Sequence, residues 1–143
     1  MSRNLLIVFA TSVILSCAPT VQTMSSSPGA GLRAPESGHA AVILVRTSHF
    51  EGRALLADAF IDGRRIGSLA PGTFRRVDVG PGAHEISSAQ PRREQKVTIN
   101  AAAGGTYFVE VDIHMAPLGA EAVVRQLDDG SGRAAVSASR QVE

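Results

Sequence analysis

From Ala40 onward the chain is heavily punctuated: Asp62-Gly63, Pro71-Gly72, Gly80-Pro81-Gly82 and Gly104-Gly105 each cut off an apolar run before it grows long. Asp-Gly supplies the positive φ angles of a tight hairpin turn. In Pro-Gly the proline fixes φ at the first corner and the glycine tolerates the second. Short strands with turns roughly every 8–12 residues are the pattern of a sandwich or barrel. No heptad and no repeat of fixed period competes with that pattern. The expected fold class is all-β, a small antiparallel β-sandwich.

The runs between the turns read as strands. Ala40 to Arg46 is rich in β-branched residues and continuously apolar up to its arginine, as in a strand buried on both faces. Ala59-Phe60-Ile61, Asp62-Gly63 and Arg64 to Leu69 form a hairpin pattern, and Thr73 to Val79 and Ala83 to Ser88 follow as strands. Gln95 to Asn100 sets Val97 and Ile99 against Lys96 and Thr98. The clearest alternation comes next: Tyr107, Val109, Val111 and Ile113 point one way, and Phe108, Glu110, Asp112 and His114 the other. Glu121 to Leu127 fits a strand or a short helix. Asp128-Asp129-Gly130-Ser131-Gly132 then breaks the chain before a last short strand, Ala134 to Ser139.

The amino terminus obeys different rules. Arg3 precedes an apolar run from Leu5 to Leu15, and small Ser16 stands before Cys17, the only cysteine in the chain. This is signal-peptide anatomy. As a helix the run covers about 16 Å, against a hydrocarbon core about 30 Å thick, which is too short for a permanent span. Ile14-Leu15-Ser16-Cys17 resembles the lipobox of bacterial lipoproteins. That resemblance implies diacylglyceryl transfer to the Cys17 thiol, cleavage before it and acylation of the new amine. Buried acyl chains contribute about 0.8 kcal/mol per CH₂, and more than one chain makes a stable anchor. A lone cysteine has no intrachain disulfide partner, and lipidation accounts for its presence and its place. The alternatives are a secreted protein cut elsewhere, or an apolar helix in a core. Ala18, where some sorting signals carry aspartate, favours the outer membrane. The expected organisation is a signal peptide over 1–16, the lipidated cysteine and a flexible Pro/Ser/Gly-rich tether over 17–38, and a sandwich domain over 39–139. Such a tether holds the domain roughly 25 Å from its anchor.

Composition narrows the function classes. Taking 16 leader residues from 143 leaves 127, enough for one domain that stands without disulfides. The formal charge is +1, Arg3 leaves with the leader, and no block of like charge argues for nucleic acid. With no Trp and one Tyr, the chain is poorly supplied for stacking on sugars.

Five segments carry a family likeness: Ala41 to Arg46, Ile61 to Leu69, Gly72-Thr73-Phe74, Val79 to His84, and Gly105 to Val111. In this order, with Pro-Gly-x-His after a strand as the most distinctive piece, they resemble a family of bacterial lipoproteins carrying a small β-domain of unknown function. The order of strand, Asp-Gly, strand and Pro-Gly is also similar to PEGA-type surface β-domains. Both likenesses imply a compact β-sandwich and neither implies an activity. After Ile113 the likeness stops.

Four histidines raise a metal reading. Glu110, Asp112 and His114 recur on one strand face about 6.5–7 Å apart. In-line residues diverge, however, and zinc sites draw ligands from separate segments. That face is therefore read as solvated. His84 is read as ordering a turn by hydrogen bonding, and His39 and His49 sit at loop edges without partners in sequence reach. No serine occupies a Gly-x-Ser-x-Gly nucleophile turn, and Asp128-Asp129-Gly130-Ser131 offers too few oxygens for calcium. No catalytic residue, metal or cofactor is expected.

Arg64, Arg65, Arg75 and Arg76 are the candidate binding residues, placed to meet across a hairpin with one arginine of each pair facing solvent. Solubilising positions on an edge strand are the plainer explanation. The expected function is that of a lipid-anchored lipoprotein of the cell envelope, at the outer membrane facing the periplasm. Its sandwich is expected to be a non-enzymatic binding or scaffold module for an envelope protein. The alternative is an arginine-mediated binder of anionic envelope polymer or lipid headgroups.

Overall fold

The computed structural model describes residues 32–50, 52–90 and 93–143. The expected leader, Cys17 and the first part of the expected tether lie outside the described residues. Chain order is β1 (Ala40–Arg46), β2 (Ala57–Ile61), β3 (Arg64–Leu69), β4 (Thr73–Val79), β5 (Gly82–Gln90), β6 (Arg93–Ala101), β7 (Thr106–Ala116), β8 (Gly119–Leu127), α1 (Asp129–Ser137) and β9 (Arg140–Gln141). Two sheets, ordered β8-β7-β1-β4-β9 and β3-β2-β5-β6, pack together as an all-β sandwich. Pairing is mostly antiparallel, and β1–β7 and β4–β9 are parallel.

The fully apolar run of β1 has its reason in this arrangement. β1 lies between β4 and β7, and its two faces enter different clusters. Ala40, Val42 and Leu44 join the core between the sheets with Ile86, Ile99, Val109, Val111 and Ile113. Ile43 and Val45 face outward and are covered together with Phe74, Phe108 and Val136 of α1. A strand with two dry faces has no position left for a polar residue until its end.

Local turn chemistry holds where it was expected. Asp62 and Gly63 take φ of 51° and 76° and close the β2–β3 hairpin. Gly72 takes φ of 70°, and its N–H donates to the Arg46 carbonyl at 3.0 Å, fixing the entry to β4. Between the pairs Ala59–Gly67 and Phe60–Arg65 the register slips, leaving Ile66 as the extra residue of a bulge in β3.

Of the two alternatives for Glu121 to Leu127 the structure has the strand, β8. The segment after it is a helix, whereas Ala134 to Ser139 reads as a strand in the sequence. Asp128 is the N-cap: its side chain accepts the Ser131 N–H at 3.0 Å, so the acidic, glycine-rich break opens α1 instead of ending the fold. Gly132 and Val136, four residues apart, form the buried stripe of α1. At Gly132 a methyl group would fall 2.5 Å from Phe108 Cβ and closer still to the ring, so only glycine lets the helix lie this near β7. The domain also extends beyond 39–139. Leu32 is half-buried against the Phe74–Phe108 cluster, and β9 with Val142 adds an edge to β4.

Candidate functional site

The face of β7 expected to be solvated is not: Glu110 is 4% and Asp112 2% exposed, and only His114 reaches solvent. The β1–β2 connection folds over it. Arg46, the residue that ends β1, is wholly buried. It donates to Asp112 Oδ1 at 3.1 Å and to the carbonyls of Leu55 at 2.6 Å, Leu69 at 2.9 Å and Gly52 at 2.9 Å. One guanidinium thus joins both sheets and the loop that crosses their end. Its five fixed donors suit it to this work better than an ammonium. Glu110 accepts from Thr47 Oγ1 at 3.0 Å and is paired with Arg125. The signal for this hub in the sequence was an arginine closing an otherwise apolar run, with two acids on the most regular strand.

His49 comes from a separate segment and stands 4.0 Å from Asp112 Oδ2. His49, Glu110 and Asp112 each offer a ligand atom within 4.8 Å of the others. Three of the four carboxylate oxygens are already committed, however. Both Glu110 oxygens are engaged by Thr47 and Arg125, and Asp112 Oδ1 by Arg46 and the Ile113 amide. Two carboxylates face two guanidiniums, so a cation here meets balanced charge and positive neighbours. The grouping reads as a clasp. Above it lies a cleft of about 580 Å³ lined by His49, Phe50, Glu110, His114, Val123 and Arg125.

The four candidate arginines do come together, but not across a hairpin, because β3 and β4 belong to different sheets. They line a cleft of about 410 Å³ with Ile66, Val77 and residues 141–143. Their roles differ. Arg64 is exposed. Arg65 pairs with Asp58 at 2.8 Å and with Ser68 Oγ at 2.7 Å. The Asp58 carboxyl sits below its ordinary pKa, chiefly through the Ser68 hydroxyl and then through Arg65. Arg75 lies over Gly67, where the missing Cβ leaves room for the guanidinium. It donates to the Ile66 carbonyl at 3.0 Å and to the Glu143 carbonyl, and its Nε is buried without a hydrogen-bond partner among the described residues. Arg76 has its side chain buried to 4% exposure, against Asp78 at 2.8 Å and the carbonyls of Arg33 and Ala34. It holds the segment before β1 onto the domain, and Asp78, which also accepts the Glu36 N–H, is pulled below its ordinary pKa mainly by Arg76.

His84 orders two turns at once. Nδ1 meets Asp62 Oδ2 at 2.7 Å and Nε2 meets the Gly80 carbonyl at 2.8 Å, two acceptors that a doubly protonated ring satisfies together. Its pKa is raised accordingly, mainly by Asp62, and that of Asp62 is lowered by His84. His39 lies at the start of β1, its ring near the Ser37 carbonyl and its own carbonyl accepting the Gly104 N–H.

These features define a small two-sheet β-domain, in which, among the described residues, no serine or threonine hydroxyl is hydrogen-bonded to a histidine. Among the described residues no helix is long and apolar enough to cross a membrane. Residues 36–124 match the family described as Protein of unknown function (DUF2846), and the chain belongs to that family. The match takes in β1 to β7 and most of β8. An uncharacterized protein of Haemophilus influenzae is 28% identical over 133 residues, covering 91% of this chain and 79% of the relative.

Proposed function

We propose that the protein is a lipid-anchored lipoprotein of the bacterial cell envelope, at the outer membrane facing the periplasm, whose sandwich is a non-enzymatic binding or scaffold module for an envelope protein. The observation that carries this reading is β3. It ends its sheet, carries exposed Arg64 and Arg65, and borders the 410 Å³ cleft beside β4. A partner segment added to such an edge draws on backbone donors and acceptors and needs few special side chains. The anchor rests on the apolar leader and on Ile14-Leu15-Ser16-Cys17. The test is photocrosslinking in cells from position 64, with position 103, in the turn that follows the opposite edge strand β6, as control. One reproducible protein adduct confined to position 64 is expected. Equal capture at both positions, or none, refutes the scaffold.

Arg75 Nε, buried in the same cleft without a hydrogen-bond partner among the described residues, favours a second reading: an anionic ligand such as a headgroup phosphate or an acidic envelope polymer. Retention on anionic vesicles or cell-wall material then falls steeply with salt, and with Arg64→Ser and Arg65→Ser. Arg76 is unsuitable for that series because it holds Asp78 and the segment before β1.

A further inference from the structure

The large hydrophobic side chains exposed among the described residues are Phe50, Leu55, Leu56, Met115 and Leu118, and all five sit at one end of the sandwich. The reason is topological. β1 and β7 are parallel neighbours, so the β1–β2 connection and the β7–β8 turn leave from the same end. Phe50 and Leu118 are 86% and 75% exposed, projecting tips and not the floor of a preformed pocket. Between the two connections, Phe50, Leu55 and Met115 line an apolar groove of about 590 Å³ with Arg53 at its side. Neither connection gains from this exposure within the fold, and a cluster of this kind marks a contact surface.

The course of the chain before β1 indicates what covers it. Leu32 packs against the cluster of Ile43, Val45, Phe74, Phe108 and Val136. The Arg33 and Ala34 carbonyls meet Arg76, and the Glu36 amide meets Asp78. Arg76 and Asp78 are the register partners of Ile43 and Ala41, so this segment runs antiparallel to β1. Leu32, the first described residue, therefore lies on the side of the end where β1 finishes, the end that bears Phe50 and Leu118. Cys17 is 15 residues before Leu32 (32 − 17), a stretch that spans at most about 50 Å. An anchor on Cys17 keeps the whole domain within that reach of the bilayer at high effective concentration, and the end on Leu32's side needs the least tether to meet it.

We infer that the apolar end is a membrane-contact face. Phe50, Leu56, Met115 and Leu118 enter the boundary between headgroups and acyl chains of the phospholipid bilayer that holds the Cys17 acyl chains. The sandwich stands on the membrane by that end. This orientation rests on the lipid-anchored reading above, and it points the turns at Asp62-Gly63 and Ala102 to Gly105 away from the surface.

The chain contains no Trp, which makes a clean probe available. The full chain, purified from membranes with its native amino terminus, is reconstituted as the Phe50→Trp, Leu118→Trp and Ala103→Trp variants. The vesicles are phosphatidylethanolamine and phosphatidylglycerol, with and without brominated acyl chains. Flotation reads the anchor, and fluorescence reads the contact. The expected result is flotation of all three, with blue-shifted emission and loss of intensity against brominated lipid for the variants at 50 and 118 and neither change at 103. Flotation without quenching at 50 and 118 overturns the contact face and leaves the anchor standing. A blue shift without bromine quenching assigns the end to a second copy or a protein partner and also overturns it. Failure to float overturns the lipid-anchored reading and the contact face with it.

Discussion

Replacing Arg46 with methionine tests whether the buried clasp holds the two sheets and the crossing loop together. The side chain is fully buried and gives up a bond to a carboxylate whose own side chain is 3% exposed, together with those to the carbonyls of Leu55, Leu69 and Gly52. Removing one partner of a buried ion pair costs about 3–5 kcal/mol, because the remaining charge stays uncompensated. Each carbonyl left dry adds about 1–3 kcal/mol, although those of Leu55 and Gly52 are only partly buried and are reached by water. Methionine returns part of this through packing. The expected net loss is about 3–5 kcal/mol, a large share of a typical domain's stability of about 5–15 kcal/mol. Urea unfolding followed by far-UV circular dichroism should show a lower midpoint at unchanged slope. The double variant Arg46→Met with Asp112→Leu leaves neither charge and should recover part of the loss. A single-variant loss under about 1 kcal/mol, or a double variant no better than the single one, refutes the clasp.

Two further predictions concern the helix and the turns. Gly132→Ala should destabilise by about 1–3 kcal/mol through overlap with Phe108, despite the roughly 1 kcal/mol that alanine gains over glycine in a helix; a rise in melting temperature would show that α1 does not lie this close to β7. For His84, the folded pKa lies above the ordinary 6.5, so its pairing contribution is complete below that value and disappears as pH rises through the raised folded pKa. The lowered pKa of Asp62 keeps its carboxylate charged throughout that window. The stability advantage of the natural protein over His84→Gln should therefore shrink from pH 6 towards neutral and alkaline pH, and shrink with added salt since Asp62 is half exposed. An advantage that grows with pH would refute the charged pair.

The legible parts of the molecule were the local ones. Asp62-Gly63 and Pro71-Gly72 encode their turns in two adjacent residues, and the apolar run of β1 announces burial on both faces because each residue must suit a dry neighbour. The misread parts depended on a cap three residues long and on distant residues. Asp128 looked like a break until the Ser131 amide and the berth of Gly132 on Phe108 made it a helix cap. Glu110 and Asp112 alternate like solvent positions, and only the loop between β1 and β2, with Arg46 and Arg125, removes them from water.

By itself the sequence determined the strands from β1 to β7 and the turns between them, to within a few residues, because backbone sterics and alternation act locally. The tertiary structure alone decided which charges are paired, since Arg46 and Asp112 are 66 residues apart and meet only when β1 and β7 lie side by side in parallel register. It likewise decided that Arg76 is a clamp while Arg64 is exposed, and that the scattered apolar residues 50, 55, 56, 115 and 118 share one end. Ion pairing and surface clustering follow from sheet order, and that order is set by the packing of the whole core and by no single segment.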